Sequence, residues 1–408
     1  MIDIQSIRNE FPILNETMHD KPLCFLDTAA SAQKPRCVID KINEVYTKGY
    51  ANVHRGAYQI SDKATDAFEA TRNTVAEFIS AKSPRHIVFT KGTTESINLV
   101  AQSLKQFYFQ EGDEIILSVM EHHANIVPWQ MIAEEKGLII KVIPVLDDGS
   151  LDLDAYQALL SDKTKLVSIT HISNVLGTIN PVEKMIALAK NYNAAVCIDG
   201  AQGVIHELVD VQALGCDFYT FSAHKLYGPT GVGVLYVADS FIEKMPPYQG
   251  GGNMIESVSF EKTTYAEFPH NFEAGTPNIA GVIAFKEALN FVRAIGLDTI
   301  KEHEAKLLEV ATRRLNEIEG LKILGTLKSK AAVLTFVIDG IHANDIGMLL
   351  DTYGVAVRTG HHCAQPLLVS FQVPSTVRAS FGVYNTIKEV NYFADSLVKI
   401  TKMLKVSV

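Results

Sequence analysis

Six short apolar runs constrain this chain more than any other feature. They are His86–Thr90, Glu114–Ser118, Leu166–His171, Ala194–Asp199, Phe218–Ser222 and Val232–Val237. Each is continuous rather than alternating, which predicts strands covered on both faces. Amphipathic stretches lie between them. Ala64, Phe68, Thr71, Val75 and Phe78, for example, recur at steps of four and three along one helical stripe. Strand and helix in alternation predict an α/β fold, with a mostly parallel central sheet and helices on both sides. After about Gly296 the pattern changes. A long polar helix is expected over Leu297–Ile318 and a strand over Ala332–Ile338. A last amphipathic helix is marked by Ile387, Val390, Phe393, Leu397, Ile400 and Leu404. With 408 residues the chain exceeds what one core usually holds. The expected division is a large domain over 16–295 and a smaller α+β domain from 1–15 and 296–408. The segment Gly250–Asn278 reads as irregular, with a run of three glycines and room for a hairpin.

Charge and cysteine usage narrow the function classes. A net charge of −9 with no basic tail disfavours nucleic-acid or anionic-membrane binding. The N-terminus is charged through its first ten residues and lacks the apolar core of a secretory signal, and no apolar stretch approaches a membrane span. The five cysteines (Cys24, Cys37, Cys197, Cys216, Cys363) form no C-x-x-C pair, which points to a reducing compartment; a cytoplasmic location is expected. No metal site is expected.

In a doubly wound sheet ligands sit beyond the carboxyl ends of the strands, and the chemically interesting residues fall there. Lys225 follows the run Phe218–Ser222, beside Ser222 and His224. Desolvation of its stem frees the amine for Schiff-base chemistry, whereas a plain strand-end lysine would snorkel to water. Asp199 closes an apolar run and needs a partner. A pyridinium nitrogen is one candidate, the N-terminus of the next helix another. Thr93 and Thr94 open a helix after a glycine turn, a natural phosphate cup or a plain N-cap. Either His122 or His123 could stack on an aromatic ring and shuttle protons; spacing leaves the choice open. Cys363 lies in R-T-G-H-H-C-A-Q-P, where the cationic neighbours Arg358, His361 and His362 favour a reactive thiolate. Arg378 has the fork that grips a carboxylate, and equally that of a surface ion pair.

The blocks K-G-T-T-E-S-I-N, E-H-H-A-N-I-V-P-W, S-N-V-L-G, D-G-A-Q, S-A-H-K-L-Y-G-P-T-G, F-E-A-G-T-P-N and R-T-G-H-H-C-A-Q-P-L together resemble the class V aminotransferase superfamily. Within it they resemble the SufS-type (group II) cysteine desulfurases, from F-L-D-T-A-A at Phe25 to the last helix. The resemblance implies a fold type I transferase dependent on pyridoxal phosphate (PLP), which moves the sulfur of L-cysteine onto Cys363 as a persulfide and leaves alanine. Lys225 would hold PLP covalently and later remove the Cα proton. Asp199 would pair with the pyridine nitrogen and Gln202 with the ring hydroxyl. His122 would stack on the ring and supply a proton. Thr93, Thr94, Ser222 and His224 would hold the phosphate, with Gly250 and Thr276 reaching the phosphate of a neighbouring subunit. Asn174 and Arg378, with Arg358 lining the pocket, would bind the substrate carboxylate. The resemblance further implies a homodimer. The short cysteine loop implies a SufE-like or SufU-like sulfur acceptor and, beyond it, iron–sulfur cluster assembly. Rival readings are a selenocysteine lyase, another class V aminotransferase, or a non-catalytic adaptor. The role of His342, in G-I-H-A-N-D, stays open between a zinc-bearing acceptor and none.

Overall fold

The computed structural model describes residues 3–406; the first two and last two residues of the expected small domain lie outside the described residues. Its centre is a seven-stranded sheet. The strands are β1 (Ile87–Thr90), β2 (Glu114–Ser118), β3 (Ile139–Ile143), β4 (Thr164–Thr170), β5 (Ala195–Asp199), β6 (Phe218–Ser222) and β7 (Gly233–Val237), in the spatial order β1-β7-β6-β5-β4-β2-β3. All neighbours run parallel except β7, which is antiparallel to both β1 and β6.

The continuous apolar runs have a simple physical origin. Successive side chains of a strand point to opposite faces, so each run is divided between two cores. Ile87, Phe89, Ile116, Val167, Ile169, Val196 and Ile198 enter one apolar cluster, with Val75 and Leu289 from the helices Gln59–Phe78 and Ile279–Ile295. Val88, Ile115, Leu117, Leu166 and Cys197 enter the other, with Ile97 and Trp129 from the helices Thr93–Phe107 and Val127–Lys136. β3 went unread in the sequence. It is an edge strand, Ile139 is half exposed and Lys141 interrupts its apolar run.

A smaller antiparallel sheet follows: β8 (Leu321–Leu324), β9 (Val333–Ile338), β10 (Arg358–Gly360) and β11 (Thr376–Ser380), in the order β8-β9-β11-β10. The helices Leu297–Asn316 and Ile387–Val406 cover it through Leu307, Leu315, Phe393 and Leu397. The chain's beginning is shared between the two layers. Cys24–Phe25 pairs in parallel with Val355–Ala356, and Cys24 and Leu26 join the small layer's core. Phe11 sets its ring edgewise on Tyr227, Phe291 and Tyr384. Residues 24–27 thus contact the small layer. The glycine segment does hold a hairpin, Ile255–Val258 with Thr263–Tyr265.

One glycine is fixed by close approach. Gly233 pairs with Thr90, and a Cβ there would meet Gly92 Cα at 2.4 Å. The G-P-T-G-V-G run thus lets β7 lie against the turn that opens the helix Thr93–Phe107. Among the described residues no helix is long and apolar enough to cross a membrane.

Candidate active site

The parallel strands end on one crevice, with a cavity of about 150 Å³ at its floor. The turns after β1, β2, β4, β5 and β6 bring Thr93, Thr94, His122, Asn174, Asp199, Gln202, Ser222, His224 and Lys225 to its wall. The small layer adds Arg358, Cys363 and Arg378. Residues spread over more than 280 positions of sequence thus meet because strand ends do.

Lys225 stands on the one-turn helix after β6 and lines the cavity. Burial pushes its amine down to about 8, aided by Arg378 and Arg358 and opposed by Asp199. Asp199 is buried at the end of β5. Burial raises its carboxyl, Lys225 works the other way, and Ala201 N donates to Oδ1 at 2.9 Å. Gln202 Nε2 donates to Ala29 O at 2.7 Å, which fixes its side chain beside them.

The structure places the paired histidines differently. His122 lines the cavity, whereas His123 turns to the cysteine loop. Burial first, then Lys225, His123 and the two arginines, push His122 down to about 3. Its Nδ1 accepts from Ala124 N at 3.0 Å, so the neutral ring carries its hydrogen on Nε2. Glu121, unnoticed in the sequence, holds this turn in place: its carboxylate accepts from Thr170 N at 3.1 Å and Asn125 Nδ2 at 2.6 Å. Burial raises its carboxyl to about 8.

At the other end of the cavity Thr93 N and Thr93 Oγ1 each lie 2.8 Å from Ser222 Oγ, which locks β6 to the helix start. A helix N-terminus with two threonines, a serine and a histidine is a cup for a dianion. His224, pushed down to about 4 by burial and then by Lys225 and Lys34, is neutral; its Nδ1 lies 3.2 Å from Ser31 Oγ.

Cys363 sits in a tight turn between β10 and the helix Gln365–Ser370. His362 and Cys363 are both left-handed, with φ of 53° and 57°, a conformation costly for residues with a Cβ. The large layer holds the bend. Asn174 Nδ2 donates to His362 O and His123 N to Cys363 O, each at 2.7 Å, and Gln365 N donates to His123 Nε2 at 3.0 Å. Arg378, 1% exposed, donates from Nη1 to Asn174 O and from Nη2 to Asp27 Oδ1, both at 2.9 Å. Its buried Nε has no partner in the protein. Asn174 is therefore committed to the loop, and Arg378 lines the cavity.

Two expected residues lie elsewhere. Gly250 and Thr276 are exposed and outside the cavity, on neighbouring loops joined by Gly275 N donating to Gly252 O at 2.9 Å. His342 caps the helix Ala343–Thr352 through Nδ1, which accepts from Asn344 N at 3.2 Å. Asp27 was missed as a site residue, and His362, expected as a cationic neighbour of Cys363, is instead buried and pushed down to about 3 by burial first, so it is neutral. The F-L-D-T-A-A block carried a signal for the first; spacing alone could not separate His362 from His361.

An amine and a buried carboxylate lining one cavity at the strand ends of this sheet are the pair that a pyridoxal-phosphate enzyme needs. The class-V aminotransferase family model matches residues 24–393. A cysteine desulfurase of Serratia proteamaculans is 50% identical over 402 residues, covering 98% of this chain and 99% of that one. One of Salmonella typhimurium is 49% identical over the same share. The crystal structure of the Escherichia coli cysteine desulfurase CsdA superposes with a TM-score of 0.92 at 37% identity, and an apo structure of a Thermococcus onnurineus cysteine desulfurase with 0.94 at 39%; each covers 99% of both chains. The chain belongs to the cysteine desulfurases of the class V aminotransferase family.

The family's cofactor, pyridoxal phosphate, fits the residues present. Lys225 suits the aldehyde, the buried Asp199 a protonated ring nitrogen, His122 the ring face, and the cup at Thr93 and Thr94 the phosphate. A depressed lysine forms an imine as the free amine, so uptake of pyridoxal phosphate by cofactor-free protein should accelerate as pH rises through about 8 and then level off. Absorbance kinetics check this. A rate still climbing toward the ordinary lysine value of about 10 would mean that the burial of Lys225 does not set its reactivity.

Proposed function

We propose that Lys225 and Cys363 perform the two halves of the desulfuration of L-cysteine, which enters this cavity as substrate. The observation that carries this reading is that both side chains line one cavity, with Arg378 between the layers. Bound pyridoxal phosphate supplies an electron sink that makes the Cα proton of the amino acid removable. Every other task falls to the chain. Asp199 keeps the ring nitrogen protonated, Gln202 holds the ring hydroxyl, and Thr93, Thr94, Ser222 and His224 hold the phosphate. Arg378, whose guanidinium lines the cavity, takes the substrate carboxylate; Arg358 and the Asn174-fastened turn border the same space. The freed Lys225 amine takes the Cα proton at Nζ and can return it to carbon. His122 presents its Nε2–H to the cavity as a hydrogen-bond donor.

The Cys363 thiolate attacks the substrate sulfur. The Sγ–S bond forms, the Cβ–S bond breaks, and its electron pair goes to the carbon skeleton, which leaves as alanine. Cysteine plus enzyme thiol thus becomes alanine plus enzyme persulfide. The tight, anchored turn cannot carry the sulfur far, so a dedicated acceptor protein, SufE-like or SufU-like, collects it for iron–sulfur cluster assembly. Gly250 and Thr276, exposed on adjacent loops, reach the phosphate of the neighbouring subunit in a homodimer. The chain divides on this reading into 16–295 and, as the unit that carries the cysteine, 1–15 with 296–408. Mass spectrometry of the holoenzyme after incubation with L-cysteine tests the reading: the peptide containing Cys363 should gain one sulfur atom, removable by reductant. A gain confined to another cysteine would overturn it.

A further inference from the structure

Three cavities lie in a row through the protein. The crevice over Lys225 is the first. The second shares Ala29, Gln202 and Lys225 with it, and shares His206 and Glu304 with the third. This middle cavity measures about 10 Å³, close to the room that one water needs. The third is an open groove of about 660 Å³ between the helix Leu297–Asn316 and the stretch Gly325–Ala332.

Glu304 stands at the junction of the last two. It projects from the helix Leu297–Asn316, is 2% exposed, and lies with Oε2 2.9 Å from His206 Nδ1. The angle at that contact does not make a hydrogen bond, and no described group donates to Oε1. A buried carboxylate in this position is costly unless a water supplies the donor. The middle cavity can hold such a water beside the polar groups in its wall. Thr28, Gln202 and Ser380 border it. So does Tyr227, whose hydroxyl accepts from Val383 N at 3.0 Å and keeps its own hydrogen to donate. An ion pair that only tied the helix Leu297–Asn316 to the short helix Gly203–His206 would need His206 and Glu304 but no polar space leading to Lys225.

We propose that Glu304 and His206, through a water in the middle cavity, carry protons between Lys225 Nζ and solvent in the groove. The proposal rests on the reading of Lys225 as the group that takes the substrate's Cα proton. The N–H bond of the Lys225 ammonium breaks as its proton passes to the water, and the electron pair stays on Nζ. The water passes a proton to the Glu304 carboxylate, and the resulting acid returns it to the groove by way of the His206 ring. Glu304 touches neither substrate nor cofactor; it acts through Lys225 and lets that amine exchange hydrogen with solvent during a turnover.

Isotope exchange in the holoenzyme tests this. With L-alanine in D2O, NMR follows the loss of the Cα hydrogen. With L-cysteine deuterated at Cα in ordinary water, mass spectrometry reads the deuterium kept in alanine. Glu304→Gln should slow the exchange at least about ten-fold, with cofactor absorbance unchanged. It should also raise the deuterium retained, and Glu304→Asp should recover part of both. A lower turnover with unchanged retention would show a merely structural role and overturn the proposal. Exchange in the wild type that Glu304→Gln leaves untouched overturns the path alone, as does absence of exchange in the wild type; exchange at the wild-type rate in Lys225→Ala sinks instead the reading of Lys225. Should Glu304→Gln fail to fold, a high-resolution crystal structure of the wild type decides. An ordered water between Lys225 and Glu304 supports the path, and a dry cavity overturns it.

Discussion

Cys363→Ala protein is expected to bind pyridoxal phosphate as the wild type does and to lose release of alanine from L-cysteine by about 10³-fold or more, the scale of removing an essential nucleophile. The turn that carries Cys363 is held by its backbone. Its carbonyl accepts from His123 N, the preceding one from Asn174 Nδ2, and neither bond involves the thiol. Alanine at 363 still has to adopt the same left-handed φ, at no greater cost than cysteine, so the variant should fold and melt normally. What disappears is the atom that accepts sulfur. Steady-state assays of alanine formation, with cofactor content checked by absorbance, measure the loss. Selenocysteine provides the internal control. Selenium departs from carbon more readily and needs less nucleophilic help, so cleavage of L-selenocysteine by the variant is expected to persist. Full sulfide release from L-cysteine by Cys363→Ala would remove the thiol from the reaction.

Much of this site could be read from the sequence because its chemistry follows directly on strand signals. Lys225, Asp199 and Thr93 each come within three residues of a buried strand's end, and apolar runs are the strongest pattern a sequence carries. The edge strand Ile139–Ile143 escaped because it has one covered face and a lysine in its middle. His122 and His123 could not be separated by spacing, since the choice depends on how a short turn bends after β2, which the buried Glu121 settles through long-range partners on β4. The pairing of Arg378 with Asp27 was hidden for the same reason. It joins residues 351 positions apart, and only the parallel bridge of the chain's beginning to the small layer brings them together. Long-range hydrogen bonds of this kind leave no local periodicity.

Lys225→Ala is expected to have the largest effect of all. The protein should still take up pyridoxal phosphate, because the phosphate cup, Asp199 and His122 are untouched, but without a covalent link to the chain. Turnover of L-cysteine should fall by about 10³-fold or more, since one residue supplies both the linkage and the proton carrier and no described side chain in the cavity replaces it. His122, pushed down to about 3, is neutral and poorly basic, and Lys34, whose Nζ donates to Ala32 O and His224 O, lies behind the wall. The effect on stability should be small by comparison. Burial disfavours the charged lysine, so below about pH 8 its removal relieves a destabilising term that offsets the lost stem contacts. Cofactor-free Lys225→Ala should therefore melt close to cofactor-free wild type at pH 7, and any gap should widen against the variant as pH rises beyond 8. Calorimetry of the two proteins with and without pyridoxal phosphate, alongside mass spectrometry of Cys363, separates the roles. Persulfide formation on Cys363 at the wild-type rate in the variant would show that another base moves the Cα proton, and Lys225 would lose its place in the reaction.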